Sequence, residues 1–332
     1  MNSSYSEWVA VQAGVVQGSI LGPLLFNVFI DSVTSGVNEG TTALKYADDM
    51  LLFKRISNDE ERHRFQHVVN SVSREIEQKG LRLNATKSEL LFCSESSSPF
   101  IPDAITVGGT EVQSVKVLPY LGVKVDARLK WDYHTDSTVT KAKRMIGHFL
   151  RVGGRKNLPL RILKQVIFQS ILPVLLYCQT VCYPYFQKDR LSLERLNRYI
   201  CRVTANDYRT PYLELLRRID GQPFYVQVIH RRILLAHRYA SGRRHLPENT
   251  IQPFVQDIRL RNRTYNRGLE VVHRTHVSTS QYALECVISL WNGLNEEAAV
   301  LNTAKLKVYL HKNSYETDRE EYRNLRHAIR VL

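Results

Sequence analysis

The sequence predicts an α+β fold: a small antiparallel sheet packed on helices through residue 130, then helices alone. Three observations predict it. Two largely apolar runs, Ala43–Ala47 and Met50–Phe53, meet at Asp48-Asp49, the pattern of a hairpin with a tight polar turn. Asn58 to Lys79 carries helix punctuation at both ends and one apolar face between them. From Asp132 onward the apolar residues recur at helical spacing.

Taken in order, residues 19–34 read as an apolar helix entered through a glycine-rich turn, with Pro23 in the first turn, where a helix tolerates it. The hairpin spans 42–54. In the next helix Asn58 with Glu61 is a capping-box signature, and Gly80 is a natural stop. Its Phe65, Val68, Val69, Val72 and Ile76 share one face, which is a packing face. Residues 81–93 and 101–126 read as strands, with Gly108-Gly109 a tight turn and Ser96–Pro99 a loop. Val139, Ala142, Met145, Ile146, Phe149 and Leu150 then form a helical stripe closed by Gly153-Gly154. Pro159–Cys178 and Lys188–Val203 predict further helices, the latter setting Arg190, Arg195, Arg198 and Arg202 against a leucine-isoleucine stripe. The Leu and Ile positions are core; the arginine faces are candidates for phosphate contact. Beyond residue 206 the chain is basic and broken by Pro211, Pro223, Pro247 and Pro253. Three regions follow: 1–130, 131–205 and 206–332.

Chemistry concentrates at Asp48 and Asp49. Charges in apolar surroundings are paired or coordinate a metal, and magnesium is held by one or two carboxylates together with substrate phosphates. A solvated turn is the competing explanation, since Asp suits turn geometry. Upstream, Gly14-Val15-Val16-Gln17-Gly18-Ser19-Ile20-Leu21-Gly22-Pro23-Leu24-Leu25-Phe26 opens the first helix. A backbone rich in glycine can approach a base or a phosphate closely.

This block followed by Tyr46-Ala47-Asp48-Asp49 resembles the reverse transcriptases of non-LTR (LINE-type, jockey-like) retrotransposons, whose block is written GVPQGSxLGPLLFxxxI and precedes a YADD hairpin. Gly80-Leu81-Arg82-Leu83-Asn84-Ala85-Thr86-Lys87-Ser88-Glu89 is similar to that family's GLxLNxxKTE stretch. Tyr120-Leu121-Gly122-Val123-Lys124-Val125-Asp126 is similar to its YLGVxxD primer-grip segment, and Leu290-Trp291-Asn292-Gly293-Leu294 to its LWNxLP tail, with Asn295 in place of the Pro. The resemblance implies a partial polymerase palm over 1–130, a thumb-like helical region over 131–205 and a basic C-terminal region over 206–332. It implies RNA-directed DNA synthesis by two-metal nucleotidyl transfer, with an RNA template and a DNA primer as partners, in the nucleus. Asp48 and Asp49 would hold Mg2+, Lys87 would lie near the triphosphate, and Gln17, Gly18, Ser19 and Tyr46 would line the nascent pair. Tyr120, Leu121 and Gly122 would support the primer terminus.

Two departures are visible. Val16 stands where the family has Pro. The family's other catalytic Asp, on an earlier palm strand, has no counterpart, because Glu7 is the only acidic residue before Asp31. The expectation is a chain that begins in mid-palm, without fingers or that strand, and that does not polymerise alone. An inactive nucleic-acid-binding remnant is therefore the alternative reading. A group II intron maturase, which shares the YADD palm, is a weaker one that the LWN-type tail argues against.

Charge supports a polyanionic partner. The chain holds 46 Lys+Arg against 32 Asp+Glu, a net charge of +14. Residues 1–150 carry 16 basic and 17 acidic side chains, so the excess, 30 against 15, lies entirely in 151–332. Such an excess favours nucleic acid through counterion release and steering. Five scattered cysteines, no leader pattern and no apolar run of spanning length fit a reduced intracellular protein without membrane segments. Cys178 with Cys182 and His273 with His276 lack a second pair at zinc-ligand spacing, so they read as buried thiols and surface imidazoles.

Overall fold

A computed structural model of the chain describes residues 10, 14–37, 40–94, 104–153, 159–244, 251–253, 269–271, 279–294, 296–299 and 301–313. They divide into two compact units, Met1–Lys116 and Val117–Leu332.

The first unit begins with helix α1 (Gly22–Asp31), which carries Pro23 in its first turn and runs into a 3-10 turn at Ser32–Thr34. Strands β1 (Thr41–Tyr46) and β2 (Asp49–Lys54) then pair antiparallel, Thr41 opposite Lys54 and Tyr46 opposite Asp49. Alternation sends Met50 and Leu52 inward against Ile30, Val33, Val68, Val72 and Ile76. Helix α2 (Asp59–Gln78) supplies the last three from the face its spacing predicts. Its cap differs in one detail from the expected box. Asn58 accepts the Glu61 N–H at 2.9 Å, but Glu61 reaches back to Ser57, accepting its N–H at 2.6 Å and its hydroxyl at 2.7 Å.

The sheet region after α2 is more fragmented than 81–93 and 101–126 predict. Among the described residues these ranges hold β3 (Glu89–Leu90), β4 (Thr106–Val107), β5 (Thr110–Glu111) and β6 (Gln113–Ser114), and, as expected, the strands of a further hairpin over 117–126. Residues 85–87 form a 3-10 turn because the Asn84 side chain accepts the Lys87 N–H and the Thr86 hydroxyl, a local bond that competes with a ladder. β4 and β5 flank the Gly108-Gly109 turn as expected, and β3 pairs parallel with β6. Gln66 of α2 stands in for a neighbouring strand: its amide accepts the Thr106 N–H and donates to the Thr106 carbonyl, each at 2.8 Å. The expected loop at Ser96–Pro99 lies outside the described residues.

The second unit opens on a hairpin, β7 (Val117–Tyr120) and β8 (Val123–Asp126), and its described residues are then mostly helical. The helices are α3 (Asp132–Gly153), α4 (Leu160–Val166), α5 (Leu172–Leu176), α6 (Gln179–Cys182), α7 (Gln187–Ala205), α8 (Tyr212–Arg218) and α9 (Phe224–Ala240), then α10 (Thr279–Asn292), α11 (Glu296–Ala299) and α12 (Thr303–Asn313). Between α9 and α10 a short antiparallel pair, β9 (Ile251–Pro253) and β10 (Leu269–Val271), interrupts the all-helical pattern expected after residue 131. The helix expected over 159–178 runs from Leu160 to Leu176, with its hydrogen-bond pattern changed midway. Pro173 lacks the N–H an α-helix needs there, and the backbone relieves this through a π turn at Ile167–Ile171. The core draws Ile146 from α3, Leu193, Leu196 and Ile200 from α7, Ile229 and Ile233 from α9, Trp291 from α10 and Leu306 with Leu310 from α12. Each such side chain contributes about 1.5–3 kcal/mol by leaving water. The LWN-type segment is part of this core. Trp291 is 1% exposed and meets His237 edge-on at 5.7 Å.

Candidate functional site

Asp48 occupies the two-residue turn of the β1–β2 hairpin after Ala47, whose φ is +51°. Asp49 is the first residue of β2, opposite Tyr46. Both carboxylates are exposed, and neither makes a hydrogen bond or ion pair with a described residue. The tip is thus in water, and the charges need no counter-ion merely to be tolerated. Tyr46 is 64% exposed on the outer face of the hairpin, together with Leu44 and Phe53.

Lys45, which the sequence pattern does not single out, fixes this tip. It points inward, and its ammonium donates to the Asp31 carbonyl at 2.6 Å and pairs with the Asp31 carboxylate at 3.1 Å. A cation at the C-terminal end of α1 is favourable, and the contact ties the strand leading to Asp48 onto that helix. Lys45→Ala is expected to loosen the hairpin, read as faster amide exchange at Leu44–Tyr46 with α2 unchanged.

The glycine-rich turn is built by its own residues. Ser19 N–H bonds the Val16 carbonyl at 3.2 Å, closing a turn whose third residue, Gly18, has φ +82°, which a type II turn requires. The Ser19 hydroxyl donates to the same carbonyl at 2.8 Å and accepts the Gly22 N–H at 3.0 Å, so it caps the entry to α1. Gln17 and Gly18 face solvent. A Cβ on Gly22 would lie 2.6 Å from the Ser19 oxygen and 3.1 Å from the Val16 carbonyl. Gly22→Ala is therefore expected to cost about 1–3 kcal/mol through overpacking, measured by denaturant unfolding. Lys87 ends the Asn84-capped 3-10 turn with its side chain exposed.

Tyr120, Leu121 and Gly122 lie in the second unit at the tip of the β7–β8 hairpin, where Leu121 and Gly122 have φ +46° and +79°. Asp126 ends β8 and is buried. Its carboxylate accepts the N–H groups of Arg128, Lys130 and Trp131 at 3.0, 3.2 and 2.9 Å, setting the approach to α3.

Of the α7 arginines, Arg195 is exposed and Arg198 and Arg202 are half-buried. Arg190 corrects the expectation of an open arginine face. It is 3% exposed, donates to the Pro184 carbonyl at 2.7 Å and lies over the Tyr183 ring. It is a structural residue. Arg259, Arg261, Arg263, Arg267 and Tyr265 of the basic tail, with His273 and His276, lie outside the described residues. All five cysteines are free, and burial pushes the Cys182 thiol up to about 12. Among the described residues no three His, Cys, Asp or Glu side chains gather as a metal site, at Asp48-Asp49 or elsewhere. No described helix is long and apolar enough to cross a membrane.

The family described as "Reverse transcriptase (RNA-dependent DNA polymerase)" matches residues 1–125. Two Drosophila melanogaster proteins are similar to the chain. The RNA-directed DNA polymerase from mobile element jockey is 27% identical over 229 residues, 65% of this chain and 23% of the relative. The probable RNA-directed DNA polymerase from transposon BS is 27% identical over 186 residues, 53% of this chain and 20% of the relative. Residues 1–125 are thus similar to reverse transcriptase domains, and the chain more widely to polymerases of mobile elements. The matched stretch takes in the glycine-rich turn, the Asp48-Asp49 hairpin and nearly all of the β7–β8 hairpin. The 229 residues aligned with the jockey polymerase exceed it, so the likeness continues into the helices of the second unit. The chain spans about a fifth to a quarter of the length of these curated relatives. No solved structure matches.

Proposed function

We propose that this chain is a segment of a LINE-type retrotransposon polymerase that binds a DNA primer on an RNA template, and that alone it holds them without extending the primer. The observation that carries the reading is Asp48-Asp49 at the exposed tip of an antiparallel hairpin inside the stretch similar to reverse transcriptase domains. In this reading Gln17, Gly18, Ser19 and Tyr46 line the nascent base pair, Lys87 steadies the triphosphate, and Tyr120, Leu121 and Gly122 support the primer terminus. Residues 131–205 act as a thumb on the duplex, with exposed cations such as Arg195 on phosphates. The site of action is the nucleus, where chromosomal DNA supplies the primer.

Reverse transcriptases are generally dependent on divalent metal. Two-metal catalysis needs a ligand set that holds two ions about 4 Å apart. Asp48 sits in the turn and Asp49 opens β2, so the two carboxylates come from neighbouring residues of one exposed tip. With no third ligand beside them among the described residues, they fit one weakly held Mg2+ and not the pair. This favours the second reading, a binding segment without its own catalysis.

Fluorescence anisotropy of a labelled primer–template across a salt series tests the binding. The affinity is expected to fall by roughly 0.7–0.9 log unit per phosphate neutralised for each decade of salt. Replacing exposed arginines of the second unit should reduce that slope, and replacing exposed lysines of residues 1–116 should not. Salt-independent binding, or no binding, contradicts the reading.

A further inference from the structure

Tyr177 follows the last turn of α5, and the chain then turns sharply, with Cys178 left-handed at φ +56°. The bend throws the Tyr177 ring out of the helical stack. It lands 56 residues back along the chain, on the tip of the β7–β8 hairpin, where its hydroxyl donates to the Leu121 carbonyl at 2.6 Å. The ring lies against Gly122: a Cβ there would stand 3.4 Å from Tyr177 Cε1. Yet Tyr177 remains 49% exposed, so burial does not explain its placement. The turn it touches is unusual too. Both central residues have positive φ, as a tight two-residue hairpin demands, but the first of them is Leu121, and a non-glycine residue held there costs of order 1–3 kcal/mol. Such a conformation persists where its surroundings over-determine it, and the Tyr177 hydroxyl grips the carbonyl of that same residue.

We propose that Tyr177 is a positioning residue that sets the Leu121-Gly122 turn for the primer 3′ end. The proposal rests on the primer-supporting role given to that turn above. Tyr177 touches no substrate itself. It fixes the backbone that does, while the phosphate contacts that set affinity lie elsewhere.

The test uses the full chain and a primer–template with 2-aminopurine as the primer's 3′-terminal base. Tyr177→Phe keeps the ring on Gly122 and removes only the hydroxyl. It is expected to melt with the wild type and to bind, by anisotropy, within about twofold, because one hydrogen bond to a half-exposed turn adds little to the fold. The 2-aminopurine change on binding should drop to less than about half, and amide exchange across Tyr120–Val123 should quicken. Wild-type terminal fluorescence in the variant overturns the proposal, as does parallel loss of affinity and terminal signal, which marks a general support of the fold. If the wild type binds but leaves 2-aminopurine unperturbed, the turn's primer role fails, and the positioning proposal with it. No binding by the wild type defeats the functional reading itself.

Discussion

Trp291→Ala is expected to cost about 3–5 kcal/mol, the usual range for deleting a buried indole. Trp291 is 1% exposed, with Leu290 and Ile288 buried beside it on α10, and its ring meets His237 of α9. His237 donates in turn from Nε2 to the Leu301 carbonyl at 2.9 Å. Losing the ring leaves a cavity where α9 and α10 pack and frees the imidazole that ties α9 to the start of α12. Urea unfolding followed by circular dichroism measures the loss. Val308, 55% exposed on α12, is the control, and Val308→Ala should change stability by no more than about 0.5 kcal/mol. A Trp291→Ala protein as stable as the wild type would contradict the packing of this unit.

Glu194 carries the second large effect. It is fully buried, and its carboxyl accepts the Phe224 N–H at 3.1 Å, the Tyr225 N–H at 2.7 Å and the Tyr212 hydroxyl at 3.0 Å. Two of these donors are the first N–H groups of α9, which Pro223 cannot cap with a side chain. Glu194→Ala orphans three buried donors at about 1–3 kcal/mol each, enough to unfold the second unit. Burial outweighs these bonds and pushes the Glu194 pKa from 4.5 up to about 7. The native protein therefore keeps a proton that the unfolded chain has lost between those values. Stability is highest below about pH 4.5 on this account, falls as pH rises toward 7, and levels off above, a span of about 3 kcal/mol. Glu194→Gln keeps an acceptor but cannot titrate. It should flatten that slope in denaturant melts taken from pH 5 to 8, and an unchanged slope would show that Glu194 does not set it.

The parts of the fold visible in the sequence are those written in local pattern. Alternation about Asp48-Asp49 and the Phe65-Val68-Val72-Ile76 face of α2 needed only spacing and caps to be read. Where local chemistry competes, the pattern misleads. Asn84 bends a stretch that looks like a strand, and Pro173 brings a π stretch into one that looks like a plain α-helix. Charge misleads in its own way, since nothing in the α7 pattern distinguishes Arg190, packed on Tyr183, from exposed Arg195. Glu194 likewise reads as one more solvated helix charge until Pro223 brings the start of α9 to it. The residues that position the candidate site were missed for another reason. Lys45 meets Asp31, and Tyr177 meets Leu121, across 14 and 56 residues of chain, beyond the reach of any periodicity. The family motifs named the surfaces but not these supports.

The central proposal is that the chain holds primer–template without extending the primer, Asp48 and Asp49 having no third metal ligand beside them among the described residues. Primer extension by the purified chain, with Mg2+ or Mn2+ and with binding followed in the same reaction, tests it most directly. The account predicts a bound but unextended primer, with Asp48→Ala indistinguishable from the wild type, since a reacting group misplaced by about 1 Å already loses a hundredfold in rate. Robust synthesis that disappears in Asp48→Ala would contradict it, and would mean that a further ligand completes the site.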